Sequence, residues 1–381
     1  MLASLKKVSN TVLAKISKSL PEWNEDEAIP MVPALRAQQY KLPVNIKDLP
    51  TNLAAHYVAL ATGAPETLPA LNIYIVKNAN VSFIGAPFKN LQLFRPDMSP
   101  YTDGYFRNNY LLMQWLAPKQ RVKRLAKAAL MHDIWAAQNY YHWLVESLPR
   151  LLMLRKAFPD IEILLPTPTP AFIKETLALL NFTKFIPIAE GEFFKIDSLI
   201  IPQKLPFLDL QLEDAATEKH EFGLQAVREK LLHNLPKTTH TAPHRRVYVS
   251  RAHQPFRRVR NEEEIKDVLR KYDFETFYFE ELSFAQQVDL MQETAVLVGL
   301  HGANLTNLMF MQPGTKIVEL MNIDSGRLLF YFFMSSYFSL DYYCMPCNSV
   351  DEITTNQTDV AIDARGFANL LSSIFEDAGS I

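Results

Sequence analysis

The sequence predicts an α/β protein made of two doubly wound domains, each a parallel sheet covered by helices. Three observations carry that expectation. At 381 residues the chain exceeds one ordinary domain. Strand-like and helix-like patterns alternate strictly between about residues 240 and 345. The middle run of that stretch, Ala295-Val296-Leu297-Val298-Gly299, is apolar without alternation, as a strand buried on both faces requires.

Taken from the N-terminus, residues 1–70 read as a helical and irregular segment. Leu2, Leu5, Val8, Val12, Ile16 and Leu20 recur at spacings of three and four with lysines between them. A basic amphipathic helix of this kind can make peripheral contact with an anionic membrane through residues 1–20, although packing against the protein is the preferred reading. Lys6, Lys7, Lys15 and Lys18 interrupt any signal-peptide core, and no apolar run reaches the roughly 20 residues of a membrane-spanning helix.

Residues 71–210 read as the first sheet domain. Its strands are expected at 128–131, 161–165, 185–188 and 198–201, and its helices at 140–157 and 171–180, with a proline-rich turn at 166–170. Residues 211–241 form a polar linker with some helix. Residues 242–348 are the second sheet domain. Its strands are expected at 246–250, 276–279, 295–299, 316–320 and 342–344. Helices run between them at 262–272, 283–293, 302–311 and 328–338, the first capped by Asn261. A tail helix is expected within residues 349–381.

Composition narrows the function. Thirty-nine basic and 41 acidic residues give a net charge of −2, which offers no general attraction to nucleic acid. The two cysteines, Cys344 and Cys347, follow a strand pattern rather than opening a helix, so they read as structural thiols of a reducing compartment. No Asp-x-Asp pair, no Gly-x-x-x-x-Gly-Lys-Ser/Thr loop and no Gly-x-Gly-x-x-Gly occurs, so no bound metal is expected.

Ligands of doubly wound sheets bind beyond the carboxyl ends of the strands, and two such domains in series leave a cleft between them. Four segments there could carry chemistry. In Gly299-Leu300-His301-Gly302-Ala303-Asn304 a buried strand turns into a helix start, whose N–H groups suit an anion and whose small residues allow close approach. Ser250 to Glu262 contains Arg251, Arg257, Arg258 and Arg260, and guanidinium forks clasp phosphate oxygens. Glu319, read at a strand end, suits the hydroxyls of a ribose. His142 and Glu146 lie four apart on one helical face, where either can take a proton from a hydroxyl. The competing readings are a plain turn, a solvated basic loop, a surface glutamate and a surface helix pair; the adjacent His301 and Asn304 tip the first toward function, the edge it shares with the His301 turn tips the second, and the functional reading of Glu319 is set ahead of the third.

These segments together resemble glycosyltransferase family 61. The resemblance rests on Tyr-His-Trp-Leu-x-Glu-x-Leu-Pro-Arg-Leu at 141–151, Tyr-x-Ser-Arg with Arg-Arg-x-x-Asn-Glu across 248–262, and Glu-x-x-Ser-Phe-x-x-Gln-Val at 280–288. His-Gly-Ala-x-Leu-Thr-Asn at 301–307 and Pro-Gly-x-x-x-Val-Glu at 313–319 complete it. It implies a GT-B fold and inverting transfer of a sugar from a nucleotide-sugar donor to a glycan acceptor. The donor would meet Arg251, Arg257, Arg258, His301, Gly302, Ala303, Asn304 and Glu319. His142 and Glu146 would serve the acceptor side, with His142 preferred as base. The chain looks like the bacterial capsule-type branch, which implies polysaccharide assembly on the cytoplasmic side. A non-catalytic nucleotide- or sugar-binding protein is the alternative, and a two-domain sugar-nucleotide epimerase fits the arginine loop less well.

Overall fold

The computed structural model describes residues 22–23, 27–32, 35–36, 40–62, 67–68, 70–85, 87–89, 92–94, 122–133, 135–204, 222–236, 242–324, 329–350 and 357–376. The amphipathic segment 1–20 lies outside them. The chain divides into two units. One comprises Met1–Arg36, Thr67–Phe207 and Asp214–Leu231; the other comprises Ala37–Glu66, Leu208–Glu213 and Leu232–Ile381. Among the described residues, no helix is long and apolar enough to cross a membrane.

The first unit is built on a nine-stranded sheet. Its parallel part runs Phe193–Pro202, Lys123–Ala129, Ile163–Thr167, Phe185–Ala189. The expected all-parallel sheet is corrected on its other side, where Leu71–Ser82 runs antiparallel to Phe193–Pro202 and to Pro87–Lys89. The connection from Ser82 to Pro87 is too short for a crossover helix, so only a hairpin can form there. The strand expected at 128–131 begins earlier, at Lys123, because Lys123, Arg124, Ala126 and Lys127 are exposed and carry no apolar signal. Val76, Val81, Ala128, Ile196 and Leu199 fill the core beneath it.

The helix over 140–157 forms as expected, with one departure. Trp143–Ser147 is a π turn between Tyr140–His142 and Leu148–Ala157. Pro149 explains it: its ring cannot sit against the carbonyl four residues earlier, and a wider turn relieves that clash. Asn139 caps the start through its side-chain oxygen and the Tyr141 amide, 2.9 Å. Trp143 is fully buried and donates its Nε1–H to Thr176 Oγ1 at 2.8 Å. Arg150 is buried too. Its guanidinium donates to the carbonyls of Pro202 (2.8 Å), Met131 (3.0 Å) and Leu130 (3.4 Å), tying the helix to the carboxyl ends of two strands. Arg150→Met should strip partners from those carbonyls and cost about 3 kcal/mol. A thermal melt is expected to fall by roughly 6–12 °C.

The second unit carries the sheet Glu275–Phe277, Arg245–Val249, Thr294–Leu300, Lys316–Asn322, Asp341–Ser349, Val360–Ala361. All its pairs are parallel except the last. Counted in chain order the five parallel strands lie 2-1-3-4-5, a doubly wound sheet whose order reverses between Arg245–Val249 and Thr294–Leu300. Helices Glu262–Arg270 and Phe284–Glu293 join the early strands, the second opened by a capping box of Ser283 and Gln286. Asn261 does not cap the first. Its side chain pairs instead with the backbone of Ile362, accepting from N at 3.0 Å and donating to O at 2.8 Å. The helix expected at 302–311 is a tight 3-10 helix, Ala303–Phe310.

The strand expected at 342–344 runs from Asp341 to Ser349, so both cysteines lie inside it as buried, free thiols. Burial pushes Cys344 up to about 12. Part of that strand's open side is covered from far away in sequence: Val44 N donates to Tyr342 O at 2.8 Å, and the Asn45 amide pairs with both backbone groups of Cys344. Helix Thr51–Thr62 follows and buries Tyr57 against Phe332 and Tyr342. Residues 37–66 thus belong with the C-terminal unit. So does the tail helix, Ala364–Glu376, which packs Phe367, Leu371 and Ile374 into its core.

Candidate active site

Each unit carries one cluster of functional side chains, and in each it gathers where parallel strands end. In the first unit the neighbouring strands Lys123–Ala129 and Phe193–Pro202 end side by side. Past the first come Asp133 and Trp135, and past the second Lys204. Gly85 makes room for this turn. Its φ of +73° favours glycine, and a Cβ there would stand 2.2 Å from the His132 carbonyl oxygen.

Asp133 Oδ1 accepts from the amides of Trp135 and Ala136, both at 2.9 Å, which closes the turn. Lys204 Nζ lies 3.2 Å from Asp133 Oδ2 and 2.6 Å from Glu146 Oε2. Glu146 Oε2 also faces His142 Nδ1 at 2.9 Å. Burial raises the cost of the Asp133 charge, yet Lys204 and the Ala136 amide hold its carboxyl below the usual range. The His142 ring lies beside the Trp135 indole, centroids 6.1 Å apart, and Trp135 is one of the few large apolar side chains left exposed. With Nδ1 turned to a carboxylate, Nε2 is the edge left for a substrate proton. His132, by contrast, is a core residue: burial pushes it down to about 4, so it stays neutral.

In the second unit Arg251 follows Arg245–Val249 and His301 follows Thr294–Leu300, with Val249 registered on Gly299. These are the two strands between which the sheet order reverses, where doubly wound sheets bind ligands. The Arg251 guanidinium lies against Gly302: a Cβ on that glycine would meet Nη1 at 2.7 Å. Arg251 donates through Nε to Arg257 O at 3.0 Å and through Nη2 to Phe256 O at 3.4 Å, and among the described residues it forms no ion pair with a carboxylate. Burial and the neighbouring Arg257 charge both work against the Arg251 cation, and burial works against that of Arg257. Arg257 itself sits at φ +56°, a left-handed bend that costs a non-glycine residue about 1 kcal/mol. Two partly buried cations held together by a strained bend make a site suited to a multiply charged anion.

The other predicted donor residues divide. Ala303 and Asn304 open the 3-10 helix beside Gly302, whose first N–H groups lack partners within the helix. Arg258 is occupied: its backbone N–H, Nε and Nη2 all reach Asp359, at 2.8, 3.3 and 3.2 Å, and Arg260 Nε joins them at 2.9 Å. Glu319 stands within its strand rather than at the end expected for a ribose ligand, and it is fully buried. Its Oε1 meets His301 Nδ1 and its Oε2 accepts from the Tyr342 hydroxyl at 2.7 Å. It therefore orients His301. Tyr331 and Phe330 flank the His301 ring, with centroids 5.1 and 6.1 Å away.

Sequence reasoning passed over Asp133, Trp135 and Lys204. The rule that found Arg251 and His301 would have found them, since each follows a strand end. Nothing local marked Tyr342 or Tyr57. Among the described residues, no three His, Cys, Asp or Glu side chains are arranged to hold a metal ion.

Part of the chain is similar to known proteins. The sequence profile of the family Glycosyltransferase 61 matches residues 140–318. An EGF domain-specific O-linked N-acetylglucosamine transferase of Drosophila melanogaster is 34% identical over 106 residues, covering 26% of this chain and 20% of that protein. Its counterpart in Mus musculus is 30% identical over 77 residues, 19% of this chain and 15% of the relative. The Xenopus laevis protein is 27% identical over 117 residues, 28% and 22% of the two chains. The alignments thus span between 15% and 22% of these relatives' lengths.

Proposed function

Because residues 140–318 belong to glycosyltransferase family 61, we propose that the chain transfers a sugar from a nucleotide-sugar donor to a hydroxyl of a glycan acceptor, with inversion at the anomeric carbon. The observation that carries this reading is the Arg251 guanidinium packed on Gly302 at the reversal point of the second sheet. A nucleoside diphosphate fits there, its oxygens met by Arg251, Arg257, His301 and the N–H groups from Gly302 onward. The acceptor oxygen attacks the anomeric carbon as the bond from that carbon to the diphosphate breaks. The acceptor proton passes to His142 Nε2, and Glu146 stabilises the imidazolium that forms. Guanidinium and backbone N–H groups take up the leaving group's charge in this scheme, so metal-independent transfer is part of the proposal.

The relatives' names make an activated N-acetylglucosamine the first donor to try. The acceptor we propose is a growing polysaccharide at the cytoplasmic side of a membrane; an EGF domain, which the relatives' names suggest, is the second acceptor to supply. The purified protein should bind UDP or GDP in the presence of EDTA and hydrolyse the matching sugar nucleotide. Gly302→Ala should weaken that binding by about ten- to a hundredfold, roughly 1.4–2.7 kcal/mol. The added methyl pushes on the far end of a flexible side chain, so the melting temperature should hold. Calorimetric titration reads both quantities. Equal affinity in the two proteins would remove the diphosphate from this turn.

A further inference from the structure

Tyr342 and Tyr57 lie outside residues 140–318, yet both reach the carboxylate behind His301. The Tyr342 hydroxyl donates to Glu319 Oε2 at 2.7 Å, and the Tyr57 hydroxyl stands 2.9 Å from that of Tyr342. Counting protons orders the chain. A tyrosine hydroxyl has one hydrogen, and Tyr342 gives its own to Glu319, so a hydrogen between the two tyrosines comes from Tyr57, for which the 2.9 Å contact to Tyr342 is the stronger one beside Met321 Sδ at 3.9 Å. An ionised carboxylate only accepts, so His301 must present Nδ1–H to Glu319 Oε1. Burial pushes both phenols well above their ordinary range, so they remain neutral donors. The hydrogen bonds thus run one way, from Tyr57 through Tyr342 to Glu319, with His301 donating into the same carboxylate from the other side.

We propose that Tyr342 and Tyr57 are positioning residues for donor binding: acting through Glu319, they hold His301 Nδ1–H on Oε1, and the carboxylate supports a second proton on Nε2, which donates to the leaving diphosphate. The inference rests on the donor reading given above. Glu319 is fully buried, and without Tyr342 one of its oxygens would face apolar surroundings unpaired. The carboxylate would then turn, and His301 would lose its anchor. Tyr57 acts one step further out and sets the direction of the Tyr342 hydroxyl. It arrives on helix Thr51–Thr62, held in place by the pairing of Asn45 with Cys344.

The test uses the full chain with nitrogen-15 in its histidines, His301 being assigned by comparison with His301→Gln. Imidazole nitrogen shifts, melting temperature and nucleoside diphosphate affinity are measured for the wild type, Tyr342→Phe and Tyr57→Phe. The wild type should show His301 as a single tautomer protonated at Nδ1 without nucleotide, and protonated at both ring nitrogens with a nucleoside diphosphate bound. Tyr342→Phe should move both ring nitrogens toward a tautomer mixture and weaken nucleotide binding about five- to tenfold. Tyr57→Phe should shift the same nitrogens less, in the same direction; it keeps the test decisive should Tyr342→Phe fail to fold. Ring nitrogens unmoved in both variants overturn the relay. Nitrogens that move while affinity holds overturn the donor reading and leave the relay standing.

Discussion

Arg251→Ala is expected to lower kcat/KM for the nucleotide sugar by about two to three orders of magnitude, roughly 3–4 kcal/mol of transition-state stabilisation. The size follows from where the guanidinium sits. It lies on a glycine at the reversal point of the sheet, partly buried, and its two hydrogen bonds go to neutral carbonyls of its own loop. Its charge is therefore available to an anion. Stability should change little, since only those two loop contacts are lost. Arg251→Lys should recover a minor part of the activity, because an ammonium supplies the charge without the planar fork. Steady-state kinetics with varied donor, together with a thermal melt, decides the matter. Wild-type kcat/KM in Arg251→Ala would detach the arginine loop from donor chemistry altogether.

The second large effect is expected at the other cluster. His142→Ala should reduce kcat for transfer by about two to four orders of magnitude while nucleoside diphosphate affinity stays within about twofold of wild type. That split matters, because it separates proton removal from donor binding. In the proposed scheme His142 carries the substrate-facing nitrogen, whereas Glu146 is buried and lies between His142 and Lys204. Glu146→Gln should accordingly lose less than His142→Ala, since it weakens the support of the base and leaves the base itself. If transfer by His142→Ala matched wild type, the proton would have to leave by another group.

Arg245–Val249, Thr294–Leu300 and Lys316–Asn322 were legible because each is a short apolar run with β-branched residues, stopped by turn residues. The longest misreading there, 342–344 for Asp341–Ser349, came from Pro346 and the two cysteines, which look like the end of a strand. The first unit hid more. Lys123–Ala129 shows four exposed residues that read as surface, and the antiparallel hairpin at 71–94 carries no helix to announce its topology. At the site, position after a strand was a sound guide, and it places Arg251, Gly302 and His301 together. The roles of Arg258, Asn261 and Glu319 were not legible, because each is set by a partner about 20 to 100 residues away: Asp359, Ile362 and Tyr342. Hydrophobic period says which side of an element faces inward. It is silent on which polar atoms meet there.

Asp359 shows what such distant partners allow. One buried carboxylate gathers the guanidiniums of Arg258 and Arg260 and the Arg258 amide, and so sets the curve of the loop on which Arg251 and Arg257 ride. It belongs to a stretch beyond the part of the chain shared with the family. Change near residue 359 can therefore re-aim the loop that carries Arg251 and Arg257 while both arginines stay the same. If that loop meets a ligand, its preference can drift from a carboxylate that never touches it.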